Sequence, residues 1–369
     1  MDLALRIFSI AAGSALVFLI MTDVFQSVIL PRAATFNFRL SSRLTRTTWP
    51  LARSFALARI ADEERREDFL ALYAPLVLVT FIGMWVGCSI LGFGAIFYAL
   101  RESVRDLHGF GDALYFAGTS LLTIGYGDLV PLSGATRFVS ICTGAAGLGV
   151  MAVTTAFLFS LFGSFQNREI FVVAFGSRAG SPSSGVTLLE TYARLGIPGE
   201  LSGVFENGLT WTATVLESHL AYPILGYFRS SHDRESWVAT LGALLDASAL
   251  ASTVVDDRAI RAHASLYLEM GSHAIHDLAG YYRLDVPGEP GIERAEFDAA
   301  LERLRDAGLP IAESVETCWT EFGRIRSRYA ASLQAMAHFW AIPPAMWIGD
   351  RSALPHGMTL TSERATSSV

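Results

Sequence analysis

Charge is absent from three long stretches of the chain, residues 7–22, 69–100 and 138–167, and apolar side chains dominate each of them. A helix crossing a bilayer needs about 20 consecutive apolar residues, so each stretch predicts a membrane span. The first stays apolar past Asp23 as far as Pro31, and residues 1–31 are read as an N-terminal transmembrane helix. A cleaved signal peptide is the competing reading, because Arg6 precedes the apolar core, but no small-x-small cleavage site follows. From residue 168 the pattern changes. Residues 170–175 form a short β-branched and aromatic run, and 176–185 carry strong turn chemistry, so 168–186 reads as a linker. Apolar positions then recur at three and four, as in Trp237, Leu241, Leu244 and Leu245. That spacing predicts helices over 187–195, 209–227, 236–252, 258–284, 293–307 and 310–340. A Pro- and Gly-rich break falls at Pro287–Gly291. A helical domain over 187–345 and a flexible polar tail over 346–369 complete the expectation.

Composition narrows the function classes. Hydrophobic residues make up 51% of the chain and charged ones 17%, too apolar for an ordinary soluble domain. A formal net charge of −7 argues against a general nucleic-acid binder. Cys88, Cys142 and Cys318 lie far apart, which excludes a disulfide framework or a Cys-rich metal site. Between Arg32 and Ile60 there are arginines at 32, 39, 43, 46, 53 and 59 and no acids. The positive-inside rule therefore puts the linker 32–68 in the cytoplasm, as basic amphipathic helices on the membrane surface broken near Pro50. Only one span precedes Arg39, Arg43 and Arg46, which argues against a voltage sensor. Asp23 is read either as an interfacial residue pairing with Arg32 or as a buried partner for a linker arginine.

Between the second and third spans, residues 112–122 read as a short helix leading into Thr123-Ile124-Gly125-Tyr126-Gly127-Asp128. A dehydrated cation crossing a membrane needs oxygen ligands, and backbone carbonyls supply them without net charge. Turning successive carbonyls to one axis needs alternating backbone conformations, some with positive φ, which Gly125 and Gly127 adopt at little cost. The motif and its flanking spans resemble the pore module of the prokaryotic potassium channel family, whose filter signature is Thr-x-Gly-Tyr-Gly-Asp. The resemblance implies an all-α membrane protein: outer helix 69–100, pore helix 112–122, filter 123–128 and inner helix 134–167, making a pore module over 69–167. An extra N-terminal span and a C-terminal cytoplasmic helical domain flank it. It implies K⁺ ligation by Thr123, Ile124, Gly125, Tyr126 and Gly127, with Asp128 at the outer mouth. Tyr115, Phe116 and Thr119 are expected to support the filter from behind, Thr119 standing where some relatives carry Glu. Gly147 matches a hinge position of the inner helix, with close packing as the alternative.

One filter per chain implies a homotetramer in the lipid bilayer, since a pore needs about four such loops. The N-terminus and filter mouth are then outside, the linker and helical domain cytoplasmic. The loop 101–112 is expected to be a polar external turret containing His108. The Gly-rich stretch 176–185 lacks the spacing of a dinucleotide fingerprint. Residues 217–230, mixing polar and aromatic groups, resemble stretches in other single-pore channel proteins without implying a mechanism. His273 and His276, with His263, are weak metal candidates on one helix. Function is thus expected to be passive K⁺ conduction, with no enzyme activity and no cofactor beyond the transported ion. An unknown ligand or protein would act through the helical domain. The alternative is a membrane-anchored sensor or enzyme with a vestigial pore.

Overall fold

A computed structural model of the chain describes residues 3–28, 40–231, 234–286 and 291–348. Arg32, Arg39, the break at 287–290 and the tail from 349 lie outside these residues, as does any pairing of Asp23 with Arg32. The protein is an all-α, multi-pass membrane protein. Its residues form two compact units, one comprising the chain up to Phe165 together with Leu220–Phe228, the other Gln166–His219 and the chain from Arg229 onward.

The first unit opens with α1 (Leu3–Val28), whose mostly apolar surface suits a span. It packs along the later helix α4 (Tyr73–Ala99) through Ile20, Val24 and Trp85. Asp23 is buried there and accepts a hydrogen bond from the Trp85 indole at 2.8 Å. Between them lie α2 (Leu40–Arg59) and α3 (Glu63–Ala71), the latter capped by the Asp62 carboxylate on the Arg65 amide. The expected break at Pro50 does not occur. α2 runs through it, with Pro50 exposed and the neighbouring Trp49 buried against Tyr73 at 4.9 Å. Proline removes one hydrogen bond to the carbonyl four residues back, and the aromatic anchor holds the helix across that gap.

After α4 the expected polar turret is partly apolar core: Val104 and Leu107 are buried. Its strand β1 (Val104–Arg105) precedes α5 (Phe110–Leu121) and pairs antiparallel with β2 (Val130–Pro131). This ribbon clasps the chain before α5 to the chain after residues 123–128. Then α6 (Gly134–Ala179) begins in the first unit and ends in the second. The expected linker from residue 168 is therefore helix as far as Ala179. Val172, Phe175 and Ala179 are all fully buried, a spacing of three and four that makes one helical face. An unbroken apolar run over 170–175 carries no period to distinguish strand from helix.

The second unit is a bundle of α7 (Gly185–Arg194), α8 (Leu201–Ala221), α9 (Trp237–Val254), α10 (Arg258–Tyr282), α11 (Arg294–Asp306), α12 (Val315–Arg326) and α13 (Ala330–Trp340). α9 is apolar and long enough to cross a membrane, yet 94% of that window is buried, with α7, α10, α12 and α13 packed around it. It is a bundle core, apolar on all sides for that reason. Two expected helices change. The one read over 209–227 starts at Leu201 and stops at Ala221, because Pro223 disfavours helical backbone at Tyr222. The one read over 310–340 is two, divided at Ser327–Tyr329, where Arg326 and Tyr329 both turn inward onto the buried Asp246 carboxylate. The expected tail starts later than 346: Trp347 and Ile348 are buried, and Arg326 donates to the Trp347 carbonyl at 2.7 Å.

Candidate ion pathway

The short helix α5 is fixed at both ends by its own sequence. At the start, the Asp112 carboxylate accepts the His108 and Gly109 amides at 2.9 and 2.8 Å, satisfying donors that a helix N-terminus leaves open. Along its length Phe116 packs edge-on against Phe97 of α4 at 4.6 Å, so Phe116 anchors α5 to the outer helix and makes no ring contact with Tyr126. At the end, the Thr123 amide bonds the Ser120 carbonyl at 3.2 Å, and the Ile124 amide bonds Thr119 at 2.8 Å. That paired pattern terminates helices through a left-handed residue, here Thr123 at φ 56°. The Thr119 carbonyl also accepts the Gly125 amide at 3.3 Å.

Positive φ then recurs at every second residue: 56° at Thr123, 59° at Gly125 and 81° at Gly127. No atom lies within 4 Å of where a Cβ would stand on Gly125 or Gly127. Glycine is required there by backbone conformation, not by space. Thr123 is β-branched, and the left-handed conformation costs such a residue about 1–2 kcal/mol, which the Thr119 and Ser120 carbonyls help to offset. The stretch itself is open: Ile124 and Tyr126 are 48% and 71% exposed. Tyr115 stacks parallel to Tyr126 with centroids 6.5 Å apart, and its hydroxyl donates to Asp128. Tyr115 thus braces the Tyr126 ring and the Asp128 carboxylate together.

Gly147 sits against the end of α5. A Cβ on it would stand 1.8 Å from the Leu121 carbonyl oxygen and 2.7 Å from its carbon. α6 is helical throughout this region. The structure gives Gly147 a close contact with the end of α5. The contact is the close-packing alternative that the sequence offered for Gly147, and the Thr119 carbonyl is a support that sequence reasoning missed, since it acts through a backbone atom.

The weak metal candidates do not converge. His273 is exposed and 3.5 Å from Asp277, His276 donates to the Ser272 carbonyl at 2.7 Å, and His263 donates to Ala259 at 2.9 Å. Among the described residues no group of three or more His, Cys, Asp or Glu side chains is placed to hold a metal. All three cysteines are free.

Two further clusters bear on function. Within the first unit, residues 220–228 lay aromatic rings on the helices. Tyr222 meets Phe157 at 5.6 Å, Phe228 meets Phe165 at 5.5 Å, and Tyr227 meets Trp49 and Tyr73 at 5.2 and 5.6 Å. Within the second unit, buried Arg168 donates to Glu169 at 2.8 Å and lies 3.3 Å from His219 Nε2, while His219 Nδ1 donates to the Val215 carbonyl at 2.8 Å. Burial, then the Arg168 cation beside it, holds His219 well below the usual histidine range, so it is neutral at pH 7.

Residues 85–164, from the middle of α4 through α5 and residues 123–128 into α6, match the ion channel family model. An uncharacterized membrane protein of Bacillus subtilis (strain 168) is 21% identical over 183 residues, 48% of this chain and 53% of that protein. A Rhodopseudomonas palustris protein (strain ATCC BAA-98 / CGA009) whose name proposes a potassium channel is 31% identical over 121 residues, 32% of this chain and 26% of that protein. The chain spans about half the length of the first relative and about a quarter of the second. No solved structure matches the chain. The match to the ion channel model covers the same segment that contains the alternating backbone and its supports.

Proposed function

We propose that the chain is one subunit of a homotetrameric, potassium-selective channel. Carbonyls of Thr123, Ile124, Gly125 and Tyr126, with the Thr123 hydroxyl, ligate dehydrated K⁺, Gly127 completes the turn outward, and Asp128 marks the mouth. The observation that carries this reading is the alternation of positive φ at Thr123, Gly125 and Gly127 directly after a capped helix. Such alternation lets consecutive carbonyls face one axis, the geometry that replaces a hydration shell. The arginines of α2 favour a cytoplasmic linker, which leaves the N-terminus and the mouth outside. Gating passes through residues 220–228, because this segment leaves the helical domain at His219, rests on Phe157, Phe162 and Phe165 of α6, and returns to that domain at Arg229.

The test is ion flux through the purified protein in liposomes, K⁺ against Na⁺, with Gly125→Asp beside the wild type. Asp at a φ of 59° is strained and adds a charge to the ion path. A K⁺-selective flux that Gly125→Asp abolishes supports the reading. Flux of equal size for both ions, or flux that survives Gly125→Asp, overturns it.

A further inference from the structure

Residues 220–228 leave the second unit at His219 and return to it at Arg229, and one buried cluster holds both ends. The His219 ring packs on Trp237 of α9 with centroids 4.6 Å apart, and Trp237 meets Trp340 of α13 edge-on at 5.2 Å. At the other end, the Arg229 guanidinium donates to the Trp340 carbonyl at 2.6 Å. The segment is thus a strap. Its rings lie on Phe157, Phe162 and Phe165 of α6, and its two anchors share a pair of indoles.

The hydrogen bonds at His219 fix its protonation. Nδ1 donates to the Val215 carbonyl at 2.8 Å, which leaves the lone pair on Nε2, and Nε2 lies 3.3 Å from Arg168 Nη1. A guanidinium only donates and stays charged, so Nε2 has to accept. A proton there would set donor against donor and a second cation beside the first. Among the described residues, Glu169 is the acid beside Arg168, bonded to it at 2.8 Å and to the Ser231 amide at 3.4 Å. The other titratable or charged groups around the cluster are Tyr282 of α10, whose ring meets Trp340 at 4.8 Å, and Arg229 itself. Glu235 lies against Gly176, about two turns along α6 from Arg168. The imidazole's own bonds go to Arg168, Val215 and the Ser218 hydroxyl. We infer that residues 220–228 are released by acid: His219 can take a second ring proton only on leaving the cluster, so falling pH undocks the strap from α6. Burial, then the Arg168 cation, keeps the docked ring neutral well below the ordinary histidine value of about 6.5, at which the released ring titrates. The released fraction therefore grows as pH falls below that value, about five- to tenfold between pH 7.5 and 5.5. Release stands without the channel reading; its effect on conduction rests on that reading.

The test is hydrogen exchange of the purified full-length protein at pH 7.5 and 5.5, read as protection factors, which divide out the intrinsic pH dependence of exchange. The Leu225 and Phe228 amides, bonded to the Tyr222 and Leu225 carbonyls at 2.9 and 3.1 Å, report the strap, and α9 reports the bundle. The strap should exchange faster than α9 at both pH values, since it leaves without unfolding the bundle. Its protection is expected to fall about five- to tenfold at pH 5.5 in the wild type and to stay constant in His219→Gln, whose side chain takes up no proton. Equal strap protection at the two pH values in the wild type, strap protection no lower than that of α9, or the same fall in His219→Gln overturns the proposal; the first two outcomes need no variant. In liposomes, acid should move the wild-type K⁺ flux in the direction in which Tyr227→Ala with Phe228→Ala moves it, and should leave that double variant and His219→Gln where they are. A K⁺-selective flux that ignores the release overturns the control of conduction. Acid release of the strap in a protein without K⁺ flux upholds the strap and removes the channel reading instead.

Discussion

Replacing Gly147 by Ala sets two effects against each other at one atom. Ala is favoured over Gly inside a helix by about 1 kcal/mol, and α6 is helical through this position. Against that, the new methyl would stand 1.8 Å from the Leu121 carbonyl oxygen. Ordinary contact needs about 1.5 Å more, and the obstacle is backbone, which has no rotamer with which to move aside. Overpacking a well-packed site costs about 1–3 kcal/mol, and a rigid target puts Gly147→Ala at the upper end. The expected net loss is about 2 kcal/mol. Leu121 lies two residues before Thr123, and the Thr119 carbonyl in the same turn holds the Ile124 and Gly125 amides, so the displacement is carried into residues 123–125. Thermal unfolding of the purified protein should show a lower melting temperature for Gly147→Ala, and the liposome assay should show a reduced K⁺ over Na⁺ ratio. Gly149→Ala is the control: nothing lies within 4 Å of its added methyl, so the propensity gain stands alone and stability rises. A wild-type melting temperature and selectivity in Gly147→Ala would refute the packing argument. An altered open probability at unchanged stability and selectivity would restore the hinge.

Two other perturbations read the remaining clusters. His219 is held neutral in the fold, with its folded pKa below the unfolded value of about 6.5. Its stabilising contribution is complete above that value and is lost as pH falls below it. Between pH 7.5 and 5.5 this removes about 1 kcal/mol, and His219→Gln should flatten that part of the full chain's unfolding profile; an unchanged slope would exclude His219 as its source. Tyr227→Ala with Phe228→Ala removes the contacts of Tyr227 with Trp49 and Tyr73 and of Phe228 with Phe162 and Phe165. Wild-type flux should change severalfold in the double variant with K⁺ selectivity retained, and an identical flux would show that the segment does not influence the pore.

The long apolar helices and the positive-φ backbone at Gly125 and Gly127 were legible because both are written in local chemistry. Uncharged runs of span length admit few structures, and glycines at 125 and 127 answer a conformational demand that can be stated from the sequence. The α5 boundary was legible to within two residues, since Asp112 is a helix-start residue wherever it caps. What escaped depends on groups with no sequence signature. The Thr119 carbonyl is a backbone atom that every residue owns, and only the fold reveals that it accepts the Ile124 and Gly125 amides. The left-handed φ at Thr123 is another such case, because threonine is among the last residues that conformational preference would put there.

The misread boundaries share a cause that propensity cannot address. Residues 170–175 are apolar at every position, so neither period is present, and the helix is decided by Val172, Phe175 and Ala179 facing one way into the second unit. Pro50 forbids one hydrogen bond but does not break α2, because Trp49 is held between Tyr73 and Tyr227, residues 24 and 178 positions further along the chain. α9 passes every compositional test for a membrane span, and its neighbours alone make it a bundle core. In each case a local preference of about 1–3 kcal/mol is outweighed by burial of several large side chains, each contributing about 1.5–3 kcal/mol. Gly147 shows the same hierarchy in reverse. Its sequence position offered either a bend or close packing, and the Leu121 carbonyl against it makes that glycine a condition of packing, so any motion of α6 there bears on the end of α5.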